Sequence, residues 1–293
     1  MSIIVYQDVA TPIVPVEGLA GRIRDALGAS LRSMRYPTPD FAGLYQDAAG
    51  TTPVTAVGQP VGLMLDRRFG LVVSPTNHAP PLGVGWALSA GVTQGNGAIS
   101  FVGSDNYSAA FAPGVNGYVV GGDRFYEFEF DIADYVSGLI MFRFGSGSET
   151  FVVRSSGTHR GRSKSGSVSN ENLVFNTSNF TGRVTRLLVR EIPGDHASQP
   201  TTTARPTLRS GPLRIDYDGV DDYLRTVFPA LGSNVTIARS IPGVGAQILT
   251  GQTIAAGNWD DNVTSCATLV IDRALTGPET ALVTAFLNQQ AGV

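Results

Sequence analysis

Four aspartates, Asp216, Asp218, Asp221 and Asp222, fall within seven residues. Carboxylates gathered on a turn can hold Ca²⁺, which takes about six to eight oxygen ligands. The bidentate glutamate that closes an EF-hand loop is absent. Asp218, Asp221 and Asp222 therefore stand as calcium candidates beside a plainer role, accepting hydrogen bonds from the backbone of a tight turn. Glu127 and Glu129 sit two residues apart in an alternating run, about 7 Å by strand rise. That spacing permits a glycosidase pair, although strand faces are commonly charged. His78, His159 and His196 are far apart and fit no His-Glu-x-x-His or Cys/His pattern. Gly145-Ser-Gly-Ser lacks the last glycine of a nucleophile elbow. The expectation is a chain that is not an enzyme and has no cofactor other than calcium.

Sugar recognition asks for flat aromatic faces with amides and carboxylates beside them. Trp86, Tyr107, Phe111, Tyr118, Tyr126 and Tyr135 are available, with Asn106 and Asn116 nearby; Trp259 lies beside Asn258, Asp260 and Asp261. Trp86, Tyr107, Asn106 and Trp259 are the glycan-binding candidates, with Tyr107 and Trp259 expected in turns. A local basic stretch, Arg154, His159, Arg160, Arg162 and Lys164, reads either as a solvated hairpin or as a contact for an acidic glycan or a neighbouring subunit.

These residues need elements to carry them. Charged residues are 15% of the chain, against 42% apolar, with 35 Gly and 17 Pro; that mix suits short strands and tight turns rather than helical bundles. The net charge of -3 excludes a global basic field for nucleic acid. Cys266 is the sole cysteine, so no internal disulfide is expected and a packed core thiol is the default. No stretch reaches the roughly 20 apolar residues of a membrane span, and residues 1–9 lack a signal peptide's basic start.

Residues 2–6 read as a strand. Leu19, Ile23, Leu27, Leu31 and Met34 mark one helix face over 17–34, docked either on its own domain or on another protein. Residues 36–40 read as a linker. Strands are expected at 60–65, then at 86–88, 98–102, 118–120, 125–130, 139–144, 150–154, 173–176 and 184–191, a spacing typical of a sandwich or jelly roll. In 125–130, Tyr126, Phe128 and Phe130 share one face and Glu127 and Glu129 the other. Residues 194–210 form a polar connector; strand signals return at 213–217, 223–227, 235–238, 247–250 and 267–272. Thr276-Gly-Pro-Glu279 is a capping box opening a final helix.

Several segments resemble a recurrent family of bacteriophage virion proteins. Leu44-Tyr-Gln-Asp-Ala-Ala-Gly-Thr-Thr-Pro through Leu65-Asp66 resembles the family's opening motif, and Gly194-Asp-His-Ala197 with Ala204-Arg-Pro-Thr207 its connector. Tyr217-Asp-Gly-Val-Asp-Asp-Tyr-Leu224 is similar to a strand-turn signature of laminin-G or concanavalin-A-like lectins, and Val270 to Thr276 to the family's ending. Gly85-Trp-Ala-Leu88, 98–102 and 187–192 look like a carbohydrate-binding-module jelly roll.

The resemblance implies a mainly β chain: an attachment segment at 1–40, a discontinuous lectin-like domain at 41–83 and 194–293, and an inserted jelly roll at 84–193. Only 69 residues follow Leu224 (293 − 224), short for a whole lectin sandwich, so the lectin-like domain is read as truncated and the insert as the better sugar binder. The implied function is a virion structural protein of tail fibre, spike, baseplate or head decoration that contributes to host glycan binding. The implied partners are other virion proteins through residues 1–40, host cell-surface polysaccharide, and further copies of the chain, a trimer by analogy with fibres. No nucleic acid or membrane insertion is implied. The chain would be made in the host cytoplasm, be released by lysis and reside in the virion. The competing readings are a purely structural cement or adaptor, and a polysaccharide depolymerase.

Overall fold

A computed structural model describes residues 16–111, 124–144, 151–165 and 172–293, with the side chains of residues 16, 17, 106–108 and 111 outside that description. The chain is mainly β. Helix α1 (Val16–Leu27) leads through a 3-10 turn (Gly28–Ser30) into β1 (Leu31–Arg35), β2 (Leu44–Tyr45) and β3 (Leu63–Met64). Then come β4 (Ala87–Leu88), β5 (Val92–Gly95), β6 (Ala98–Phe111), β7 (Phe125–Phe144), β8 (Phe151–Val153), β9 (Gly157–Lys164) and β10 (Leu173–Ile192). After these run β11 (Ala197–Ser198), β12 (Thr207–Arg209), β13 (Arg214–Asp216), β14 (Leu224–Phe228), β15 (Gly232–Ile241), β16 (Gly245–Ile254), β17 (Gly257–Asp261), β18 (Ala267–Ile271) and helix α2 (Gly277–Ala291).

Two sheets of four and five strands come from the flanking parts of the chain, beside a two-stranded β12-β13 ladder. One has the order β1-β18-β15-β16, the other β17-β14-β11-β3-β2. All five residues of β18 are buried, which requires cover on both faces. Leu269 and Ile271 pack with α1 and α2, while Val270 packs on the other side with Phe228 of β14. The layers are therefore helices, first sheet, second sheet. Between the sheets lies a charged core. Arg239 donates to Asp261 at 3.0 Å, Arg35 lies 3.9 Å from the same carboxylate, and Arg35 also donates to Thr226 at 3.0 Å. Cys266 is buried at the foot of β18, and burial pushes its thiol up.

The helix expected over 17–34 stops at Leu27. Gly28 takes φ +50°, a left-handed turn that glycine enters at little cost, and Leu31 and Met34 continue as strand. The heptad-like spacing survives because both halves of the segment face one cluster, with Val283, Phe286 and Leu287 of α2. Of the two dockings open to this helix, the structure has the one on its own domain: from Leu19 to Tyr36 the apolar face is covered by the chain's own C-terminal helix. The linker expected at 36–40 is likewise tied down at its start, since Tyr36 is buried against Phe286 (centroids 5.3 Å) with Arg67 over its ring. The strand expected at 2–6 lies outside the described residues, as do those at 118–120 and the Gly145 turn. The polar connector holds a surprise: β11 sits between β14 and β3 in the middle of a sheet.

The third sheet, order β4-β6-β10-β7-β8 with β5 on β6 and β9 on β7, is built wholly from residues 87–192. It is one sheet folded over. Phe128 and Phe142 stand 14 positions apart on β7 (142 − 128), about 46 Å on a straight strand, yet their ring centroids are 4.5 Å apart. The fold line crosses the long strands at Gly103, at Asp134 and Gly138, and at Asn179, all with φ between +47° and +77°, where the β7–β10 register also shifts. The two leaves close on a phenylalanine core of Phe101, Phe128, Phe130, Phe142, Phe144, Phe175 and Phe180. The expected sandwich is thus made by bending strands rather than by joining separate ones.

Candidate functional site

On the outer face of the leaf that carries β9 and the first half of β7, the alternation of 125–131 puts Glu127, Glu129 and Asp131 outward while Phe128 and Phe130 go into the core. The strands on either side supply cations. Glu127 accepts from Arg162 of β9 and Arg190 of β10, each at 3.1 Å. Glu129, nearly buried, is gripped by Arg160 and Arg186. Asp131 accepts from Thr158 at 2.7 Å and lies 3.8 Å from Arg186. Both carboxylates read as a glycosidase pair are therefore each paired with two guanidiniums.

At the edge where the two leaves open, this ladder forms one wall of a cleft of about 330 Å³, within the range typical of ligand pockets. Arg160, Arg162 and Glu127 supply its polar wall, Tyr45 and Phe151 its aromatic surface, and the turn at 50–53 its rim. The Tyr45 hydroxyl accepts from Arg162 at 2.6 Å. Burial works against the Arg162 charge, but Tyr45 and Glu127 outweigh it and lift its pKa above the ordinary value. Arg160 has only its inner nitrogen tied to Glu129 and is 73% exposed at the cleft mouth.

The rim is held by Asp47, which accepts from the backbone of Thr51 and Thr52 at 3.0 and 2.6 Å. These bonds outweigh burial and keep its carboxyl below the usual value. Gly50 has φ +77°, and a Cβ there would stand 2.3 Å from the Phe125 ring, so only glycine lets the rim settle on the sandwich. Of the basic stretch flagged in the sequence, Arg160 and Arg162 of β9 line this cleft, while Arg154, His159 and Lys164 do not; Tyr45 and Phe151 were missed because nothing local marks residues that meet across 106 positions (151 − 45).

The predicted aromatics fare otherwise. Trp86 is 5% exposed, stacked on Phe175 with centroids 5.6 Å apart, and its indole N–H donates to Pro81 O at 2.9 Å; it is a core residue and presents no face to a sugar. Trp259 lies on strand β17 rather than in a turn, packed on Phe228 with the guanidiniums of Arg35 and Arg239 over its ring at 5.3 and 5.9 Å. Tyr107 and Asn106 fall within β6, paired with Asn176 and Thr177, rather than in a turn; their side chains, that of Phe111, and Tyr118 and Asn116 lie outside the described residues. Tyr126 is buried, and Tyr135 donates its hydroxyl to Gly138 O.

Asp218, Asp221 and Asp222 do converge, with carboxylate oxygens within 4.8 Å of one another. Oδ1 of Asp218 accepts from the backbone N–H of Val220, Asp221 and Asp222 at 2.8, 3.3 and 3.3 Å, and the Val220 bond leads in holding its carboxyl below the usual value. Asp222 is pushed up, first by desolvation and then by its neighbours' charges. These contacts are those of a self-capped turn.

The motif residues around the connector form a clamp where the sandwich joins the other sheets. Asp66, fully buried, accepts from the backbone N–H of Met34, Arg68 and Asp195, each at 2.9 Å. Arg68 pairs with both Asp66 (3.3 Å) and Asp195 (3.0 Å). His196 Nδ1 accepts from Asp66 N–H while Nε2 reaches Ile192 O, each at 2.9 Å, which fixes the neutral Nε2–H form. Gly194 allows the approach: a Cβ there would lie 2.8 Å from Asp66 Cβ. Arg205 staples the opening motif by donating to Gln46 O at 2.9 Å. His78 and His196 pack on Tyr126 and Phe125, successive residues whose side chains leave opposite faces of β7, so they form no pair.

No family model matches the chain, and no curated protein matches it. Among solved structures it is similar to the N-terminal CBM22-1-CBM22-2 tandem domain from Paenibacillus barcinonensis Xyn10C, at 10% identity and a TM-score of 0.29, over 72% of this chain and 93% of that one. A likeness of that degree leaves function to be argued from the residues themselves.

Proposed function

We propose that this chain is a non-enzymatic glycan-binding structural protein of a phage-like particle, and that the cleft between β9, Phe151 and the 50–53 rim receives the sugar. The particle rests on the resemblance of the opening and connector motifs. The binding role rests on one observation: aromatic surface from Tyr45 and Phe151 converges with the donors of Arg160 and Arg162 and the carboxylate of Glu127 in one open cleft. Sugars need both an apolar wall and fixed polar partners for their hydroxyls. Affinity per site is modest, and several copies, a trimer by analogy with fibres, raise avidity on a host surface. Host polysaccharide is the ligand and other virion proteins the neighbours; no cofactor takes part, and the turn at Asp218 is the place to look for calcium.

A glycan array of the full chain, followed by titration of its hits, tests this. Arg160→Gln keeps a hydrogen-bond donor for Glu129 and is expected to weaken binding about tenfold, the loss of one good charge-assisted contact, with an unchanged melting temperature. A wild type that binds no glycan overturns the reading and leaves the cement or adaptor alternative, which the burial of Trp86 favours. Release of reducing sugar from host capsule would instead establish a depolymerase.

A further inference from the structure

We propose that the elbow between α1 and β1 is a second binding site, one for an oxyanion: the carboxylate of an acidic sugar, or a sulfate or phosphate ester. It is independent of the β9 cleft. A cavity of about 430 Å³ opens at this elbow, with Arg24 from the last turn of α1, Arg32 from β1, and Arg68 and Phe69 from the following turn on its walls. Among the described residues, no carboxylate lines it. The left-handed turn at Gly28 is what brings Arg24 and Arg32 to the same space from two different elements.

The three guanidiniums are not equally engaged. Arg68 is answered by Asp66 and Asp195 behind the wall, and its guanidinium lies 4.8 Å above the Phe69 ring. Arg24 gives one nitrogen to Arg67 O at 3.3 Å. Arg32 Nε is shut off from solvent and has no hydrogen-bond partner among the described residues. A buried donor left unmet is costly, and such groups in folded proteins are satisfied by protein, water or ligand. Two guanidiniums with no lining carboxylate, each a planar fork of N–H donors, match the geometry of an oxyanion better than that of a neutral sugar. Phe69, 49% exposed, gives the body carrying the anion an apolar surface to lie on.

Titrations of the full chain with sodium glucuronate, inorganic sulfate and inorganic phosphate, at constant ionic strength and read by the arginine Nε–H resonances, test this. The expected result is a saturable movement of the Arg32 and Arg24 signals with at least one probe. Its affinity should fall about tenfold in Arg32→Gln and in Arg24→Gln, and persist in Arg160→Gln. The probe that binds tightest separates a sugar carboxylate from a sulfate or phosphate ester. If Arg32→Gln folds poorly, Arg24→Gln carries the same comparison. Linear, unsaturated shifts with all three probes, or equal affinity in wild type and both elbow variants, overturn the proposal. Loss of response in Arg160→Gln alone would move the anion to the β9 cleft, so this site can fail while the glycan reading stands.

Discussion

Asp66 and His196 meet at a single backbone amide, and burial acts on both in opposite senses. It drives His196 down from 6.5 to about 4, and pushes Asp66 up from 3.8 to about 6 against Arg68 and three N–H groups. A histidine depressed in the folded state gives stability that is whole above pH 6.5 and lost as pH falls through 4, about 3 kcal/mol at one pKa unit per 1.36 kcal/mol. An aspartate raised in the folded state works the other way: its share is whole below pH 3.8 and lost as pH rises through 6. The two offset one another in the wild type. Denaturant unfolding between pH 4 and 7 is therefore expected to show a shallow slope, with His196→Gln tilting it toward greater stability in acid; an unchanged slope in that variant would place the proton elsewhere. Trp86→Ala is expected to cost about 3–5 kcal/mol, the range for emptying a large core aromatic, where a sugar platform would cost almost nothing. Trp86 and Trp259 look alike in sequence because residue type says nothing of depth. The clamp at Asp66, Gly194 and His196 was partly legible: the connector motif that carries Gly194 and His196 was visible, but its meeting with Asp66 was not.

Among the elements, β7 and β10 carry the least predictable feature. The alternation of Phe128 and Phe130 with Glu127 and Glu129 marked a half-buried strand correctly, since a two-residue period is local. The bend was not legible: Asp134 and Asn179 take left-handed φ, which Asp and Asn tolerate better than other side chains, but nothing local says which of the chain's Asp and Asn residues will do so. Glycines on the fold line separate two effects. At Gly103 a Cβ would meet nothing, whereas at Gly138 it would lie 2.2 Å from Asn179 O. Gly103→Ala is thus expected to cost about 1–2 kcal/mol of backbone strain, and Gly138→Ala clearly more; equal losses in chemical denaturation would argue against close strand contact at the bend. The C-terminal helix opens with the capping box its sequence predicted, and it buries Val283, Phe286, Leu287 and Ala291. Glu279 accepts from Thr276 N–H at 2.8 Å in a capping box, and its carboxyl is held at about 2, first by Arg273.

For the molecule as a whole, the sandwich is not an appendage. Phe125 and Ile192, the first and last residues of its paired long strands, are buried with Tyr45, Leu63 and Leu65 of the neighbouring sheet. Calorimetry is expected to show one unfolding transition, and Phe125→Ala to lower it by about 3–5 kcal/mol; two separated transitions would mean the units melt independently. Composition and patterning gave the β class, while the docking of α1 stayed open in the sequence because its apolar stripe has a partner that only the far end of the chain reveals. Leu31 pairs with Ile271. On a ribosome, which emits the chain from one end, the folded-over sheet can close as soon as Ile192 emerges, but α1 and β1 must wait with their apolar side uncovered for almost the entire period of synthesis. That waiting segment is where a chaperone would be expected to hold the nascent protein, and where aggregation would start if synthesis stalled.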